Sequence, residues 1–286
     1  MSSELVGESL AIVSAIFWAI GANVYKKGLE NTDIWSGNLM RTGFTSLGFL
    51  VFMLVKGNLL QSIQALNASL FLWLFISGFF AFFAGDILYL ASLREIGVAR
   101  AVPLSSTYPL FVAILAFLIY GEKVGFPIIS GTLFILIAIR LISEDEGTVR
   151  SKRGFMFAIL AAICWSISIT ILEYLTHFLA SEAIAGFRFL IVFFLLFIVV
   201  ERRGFNFNRS SAFWIGFGGM IILVTSNYTF VEAIRMIGPA KVAPISSSYP
   251  VISAFFAAIF LRERLTTRII LGTILSVVGV ITIVAF

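Results

Sequence analysis

Two short stretches carry most of the hydroxyl chemistry that this chain places in apolar surroundings. Residues 94–109 read REIGVARAVPLSSTYP, and residues 235–250 read RMIGPAKVAPISSSYP. At an offset of 141 they are identical at nine of sixteen positions, among them Pro103/Pro244, Ser105/Ser246, Ser106/Ser247, Tyr108/Tyr249 and Pro109/Pro250. A proline inside a helix withholds the N–H that would bond the carbonyl four residues back, here Ser105 for Pro109 and Ser246 for Pro250. Away from water, a carbonyl left this way must meet side chains, neighbouring protein or a wet cavity. Each stretch therefore offers loose carbonyls, hydroxyls and a tyrosine, groups able to hold the polar parts of a small solute. The structural alternative is a pair of kinks whose serines bond back to their own helix.

Ionisable groups repeat in the same manner. Arg41 and Arg188 match at an offset of 147, seven or eight residues into apolar segments, where they could recognise an anionic group or brace facing helices. Asp86 has Asn227 as its counterpart at an offset of 141. Asp86 can take a proton or pair with an arginine, whereas Asn227 keeps only the hydrogen-bonding capacity. Tyr89, Tyr228 and Glu232 extend this polar stripe. Trp18 and Trp165 sit too deep for an interfacial belt, and Asn23, Tyr25, Ser166, Ser168 and Thr170 follow them.

The elements that position these residues are apolar helices. The chain is 60% hydrophobic and 12% charged, with a mean hydropathy of +1.04, far from the composition of soluble domains. Apolar runs of about 20 residues, the length that crosses a bilayer core, recur throughout. They predict an all-α polytopic membrane protein with ten transmembrane helices at roughly 6–25, 34–55, 69–93, 98–120, 124–142, 154–173, 180–200, 212–235, 239–261 and 266–285. The first run lacks a basic flank and a small-residue cleavage site, so it reads as a retained span. The polar stretch 143–153 falls midway and reads as a linker between repeats 1–142 and 154–286. Five spans per copy is an odd number, so the second copy enters the membrane from the opposite side, giving two inverted five-helix repeats. Basic residues concentrate in the loops opposite the termini, which favours both termini outside the cytoplasm.

Several function classes fall away at this stage. The net charge of +5 is spread over short loops, so no nucleic-acid surface is expected. One cysteine, Cys164, and one histidine, His177, exclude a disulfide framework and the usual multi-ligand metal site. No clustered acid, base and nucleophile suggests an intramembrane enzyme, and no cofactor is implied. A channel remains a second way to use an inverted repeat.

The segment Trp18-Ala-Ile-Gly-Ala-Asn-Val-Tyr-Lys-Lys-Gly, the paired Pro-x-x-x-x-x-Pro stretches, and the Gly121-Glu122 turn with its counterpart Glu263 resemble the drug/metabolite transporter superfamily. The similarity is to its ten-helix branch with two EamA domains, and it covers nearly the whole chain. It implies two inverted five-helix halves around a central cavity, with the fifth and tenth spans at the periphery. It also implies export of amino acids, other metabolites or drugs, or exchange of nucleotide sugars. One departure is plain: the small multidrug members carry a carboxylate within the first helix, whereas Glu8 and Glu173 here lie near span ends. Proton-coupled drug exchange by that route is therefore not expected.

The expected function is a carrier of small metabolites, foremost amino acids, working as a monomer in the cell (inner) membrane, with protons as candidate coupling ions. Its substrate is expected to meet Trp18, Asn23, Arg41, Asp86, Tyr89, Ser105, Ser106, Tyr108, Trp165, Arg188, Asn227, Tyr228, Ser246, Ser247 and Tyr249, on helices bent at Pro103, Pro109, Pro244 and Pro250.

Overall fold

The computed structural model describes residues 3–120, 126–143, 151–238, 242, 245–246 and 249–284. Pro244, Ser247 and Glu122 lie outside the described residues. Among the described residues every regular element is helical. Six helices are long and apolar enough to cross a membrane: Glu4–Asn31, Ile34–Lys56, Ala68–Ile96, Lys152–Thr176, Ser181–Arg203 and Arg209–Ile237. Shorter apolar helices cover Ile129–Ile142, Tyr249–Phe260 and Thr267–Thr282.

In chain order the helices are α1 (Ser3–Gly28), α2 (Ile34–Lys56), the short α3 (Leu59–Gln64), α4 (Ala68–Ile96), α5 (Val98–Ser105), α6 (Tyr108–Tyr120) and α7 (Phe126–Ser143). The second half contributes α8 (Lys152–Thr176), α9 (Ser181–Arg203), α10 (Arg209–Ile237), α11 (Tyr249–Phe260) and α12 (Thr267–Val284). Their ends follow local chemistry. Asp33 caps α2 by accepting from the Trp35 and Ser36 amides at 2.9 and 3.0 Å, and Asn67 caps α4 through the Leu70 amide. Such caps satisfy N–H groups that the first helical turn cannot.

Apolar side chains cover the outside as well as filling the core. Large apolar side chains such as Leu54, Phe194, Phe213 and Phe255 face outward, while Asn38, Arg41, Thr42, Thr45, Asp86 and Arg188 are buried. A soluble domain would reverse that distribution; a bilayer-facing bundle does not.

Helices of the first half pack chiefly on helices of the second: α1 on α10, α2 on α9, and α4 on α8. The end helices α7 and α12 also pack on each other across the halves, with Ile135 and Val280 in a small separate core.

One sequence expectation needs correction. Residues 98–120 do not form one kinked span, because the helix stops after Ser105 and restarts at Tyr108. Pro109 thus falls in the first turn of α6, where its missing N–H costs nothing. Pro103 lies inside α5. Pro250 lies within α11.

A second irregularity is the π-helical stretch Phe79–Gly85 within α4. The wider turn frees carbonyls from their usual partners. Two side chains from other helices take them: Trp165 donates to the Ala81 carbonyl at 3.2 Å, and Asn38 donates to the Phe82 carbonyl at 2.9 Å.

Candidate functional site

The π-helical turn ends at Asp86, and a buried polar network forms there. Arg41 on α2 donates to Asp86 Oδ2, and its Nη2 and Nε also donate to Asn38 Oδ1 at 2.8 and 3.2 Å. Trp165 on α8 donates to Asp86 Oδ1 at 3.2 Å. Arg41 is 1% exposed and Asp86 5%, so this is an ion pair removed from solvent. Removing charges from water is costly, and the pair persists because both partners are further hydrogen-bonded. Arg41 also lies over the Tyr25 ring, 4.9 Å from its centroid.

Close approach of α8 to α4 depends on Gly85. A Cβ there would fall 2.8 Å from Trp165 Nε1 and 2.6 Å from the Phe80 carbonyl. Glycine is therefore the residue that lets the indole reach Asp86.

Arg188, the repeat counterpart of Arg41, is held differently. Its Nη2 donates to Ser168 Oγ at 2.7 Å, and its guanidinium lies 4.6 Å from the Phe82 ring centroid. Ser168 in turn bonds Ser77 of α4 at 2.9 Å. No carboxylate reaches Arg188 within ion-pair distance among the described residues.

These two sets of residues face one central cavity of about 110 Å³. Of the residues anticipated from sequence, Trp18, Arg41, Asp86, Tyr89, Tyr108, Trp165, Arg188, Asn227 and Tyr249 line it. Aromatic contacts shape its wall: Trp18 with Phe230 at 4.8 Å, Trp18 with Tyr249 at 5.9 Å, and Tyr89 with Trp165 at 5.0 Å.

The two proline stretches meet across the repeat. Tyr108 Oη lies 3.2 Å from Ser246 Oγ, and Tyr249 faces the Ser105 and Ser106 hydroxyls in return. The serines nevertheless spend their own protons locally. Ser105 and Ser106 donate to the Val102 carbonyl at 3.1 and 2.7 Å, and Ser246 donates to Val242 at 2.9 Å. All three sit behind the cavity wall, outside its lining.

Two further anticipated residues are elsewhere. Asn23 bridges α1 to α11 by donating to Ala19 and Ser253 carbonyls at 3.0 and 3.4 Å. Tyr228 packs on Phe52 at 5.0 Å and under Lys56 at 5.3 Å, away from the cavity. Conversely, Asn38, Phe82 and Phe230 were missed. Asn38 lies three residues before Arg41, a helical spacing that could have flagged it; the phenylalanines carry no signal among 31 of their kind.

At the end of α1 nearest Lys26, a second polar cluster ties helix ends together. Glu263 accepts from the Val98 and Ala99 amides, each at 2.9 Å, and so caps α5 from the other half of the chain. Gly97, at φ +78, makes the turn that presents those amides, and a Cβ there would meet Glu263 at 2.8 Å. Lys26 donates to the Leu93 carbonyl at the end of α4 at 2.6 Å. At the other ends, Lys56 of α2 pairs with Glu182 of α9 at 2.8 Å, and Ser181 donates to Glu232 of α10 at 2.6 Å.

A cavity flanked by helices of both halves, in a bundle whose outer surface is apolar, is the setting in which comparison with known proteins becomes informative. The sequence pattern of the EamA-like transporter family matches twice, over residues 5–144 and 152–285. The chain belongs to the EamA-like transporter family. An uncharacterized transporter of Archaeoglobus fulgidus is 29% identical over 274 residues, covering 95% of each chain. Protein LicB of Haemophilus influenzae is 25% identical over 291 residues, covering 96% of each. A solved crystal structure shares the fold with a TM-score of 0.68 at 16% identity, over 99% of this chain and 98% of that one. As an EamA-like protein with several apolar helices, the chain is an integral, multi-pass membrane transporter, which points away from an enzyme.

Proposed function

We propose that the protein is a carrier that moves small metabolites, foremost amino acids or related solutes, by alternating access around the central cavity. In this reading ten helices form two inverted five-helix repeats, 1–142 and 154–286, joined by the linker 143–153. The chain acts as a monomer in the cell membrane. The carrying observation is the composition of the cavity wall. Trp18, Arg41, Asp86, Tyr89 and Tyr108 come from the first repeat, and Trp165, Arg188, Asn227 and Tyr249 from the second. A site shared in this way changes when one half rocks against the other, which is what alternating access needs.

Size narrows the solute. A cavity of about 110 Å³ favours a compact solute of amino-acid size over nucleotide sugars and multi-ring drugs, which are several times larger. Contacts tie helix ends together on both sides of the bundle, Glu263 with α5 at one and Lys56 with Glu182 at the other, and a carrier would break them one side at a time.

The test is counterflow in proteoliposomes across a labelled amino-acid and metabolite panel, with and without a pH gradient. Saturable uptake driven by trapped cold solute is the expected result. Flux that rises linearly with concentration would indicate a pore, and absence of flux for every solute would sink the carrier reading.

A further inference from the structure

The duplication conserves both arginines but only one of their acids. Arg41 meets Asp86 in the first half, while the equivalent of Asp86 in the second half is Asn227. Both Asp86 and Asn227 face the cavity, as do both arginines. Among the described residues the lining therefore carries two guanidinium groups and one carboxylate, and one positive charge is left over.

That charge resides on Arg188. It is 2% exposed, and its hydrogen-bonded partner Ser168 is neutral. Among the described residues its buried Nε meets no hydrogen-bond acceptor. A buried guanidinium is tolerated when something neutralises it and occupies its fork. The aromatic face of Phe82 at 4.6 Å offers part of that compensation but no acceptor for Nε. The group whose geometry matches a guanidinium edge is an anion with two coplanar oxygens.

We infer that Arg188 is the substrate-docking cation of the cavity, and that the transported solute carries a single carboxylate which takes the place Asp86 fills for Arg41. This deepens the carrier reading and rests on it. The carboxylate offsets the surplus charge where it sits, at Arg188, while the ammonium of an amino acid is left to the faces of the aromatic wall; a phosphate monoester dianion would overshoot. The remainder of the solute lies against the wall formed by Trp18, Phe230 and Tyr249. Arg41 is a brace: its fork is taken by Asp86 and Asn38.

The decisive experiment measures binding separately from transport. Leucine, 4-methylpentanoate and leucinol are titrated into the detergent-solubilised full-length protein by calorimetry and by the fluorescence of its tryptophans, two of which line the cavity. Both carboxylates are expected to bind and leucinol to bind at least roughly tenfold more weakly. Arg188→Gln is expected to weaken the carboxylates by roughly 10- to 100-fold, the scale of a charged hydrogen bond, without weakening leucinol. Arg188→Lys, which retains the charge, is expected to stay within roughly tenfold of wild type and serves as the folding control. Asn227→Asp, which supplies an internal carboxylate, is expected to reproduce the selective loss with Arg188 intact. Equal binding of leucinol and leucine, full carboxylate affinity in Arg188→Gln, or no binding of either carboxylate to the wild-type protein would overturn the inference. Carboxylate binding without counterflow would refute the carrier reading and leave the docking role of Arg188 standing.

Discussion

Tyr108 of the first repeat and Ser246 of the second bring their hydroxyls to 3.2 Å of each other, while the equivalents Tyr249 and Ser105 face one another in the opposite sense. The crossing makes each tyrosine a reporter on the other half of the molecule. Its strength is measurable by a double-mutant cycle with Tyr108→Phe and Ser246→Ala. Coupling of about 0.5–1.5 kcal/mol in thermal stability is expected for a hydrogen bond of this kind. Additive effects would mean that the two hydroxyls do not interact.

Breaking the Arg41–Asp86 pair leaves a buried charge unmatched. Asp86→Asn is expected to destabilise the detergent-solubilised protein by about 3–5 kcal/mol. Replacing both partners, Arg41→Met with Asp86→Leu, is expected to restore much of the melting temperature while abolishing counterflow. A single Asp86→Asn variant that melts like wild type would contradict the burial of the pair.

Gly85→Ala tests the docking of Trp165. The added methyl meets both the Phe80 carbonyl and the indole, and the carbonyl cannot yield as a side-chain tip would. A loss of about 1–3 kcal/mol is expected, together with a red shift in tryptophan emission as the ring leaves Asp86. An unchanged spectrum and melting curve would show that the helices have room to spare.

Glu263→Gln retains an acceptor at the start of α5 but removes the charge that complements two amides and the helix dipole. Amide exchange at Val98 and Ala99 is expected to accelerate by tenfold or more, with exchange in α12 unaffected. Equal protection in wild type and variant would leave the cap without energetic weight.

How much of this was legible beforehand depends on the kind of signal. The repeat offsets marked Arg41, Arg188, Asp86 and Asn227 directly, because charged and amide groups are rare in apolar helices. The matching of Glu122 with Glu263 was also visible, although its purpose was not: capping α5 is a contact across 165 residues of chain. Tyr228 lies away from the cavity for a local reason. It follows Asn227, and one residue turns a helix by about 100°, so a cavity-facing Asn227 directs Tyr228 elsewhere. Ser105 and Ser106 stand behind the wall with their hydroxyls bonded to the Val102 carbonyl, the usual fate of helical serines and one that residue type alone does not reveal. Phe82 was invisible by type; only the π-helical turn and the position of Arg188 give that ring a distinct role.

The chain's order of synthesis gives the divided arginines another meaning. Arg41 and Asp86 both belong to the half that leaves the ribosome first, so their charges can cancel before the second half is made. Arg188 follows Asp86 by about a hundred residues, and its hydrogen-bond partner Ser168 belongs to its own half. The ring that lies against its guanidinium, Phe82, belongs to the other. A separately expressed second half would therefore have to settle its buried arginine without that ring.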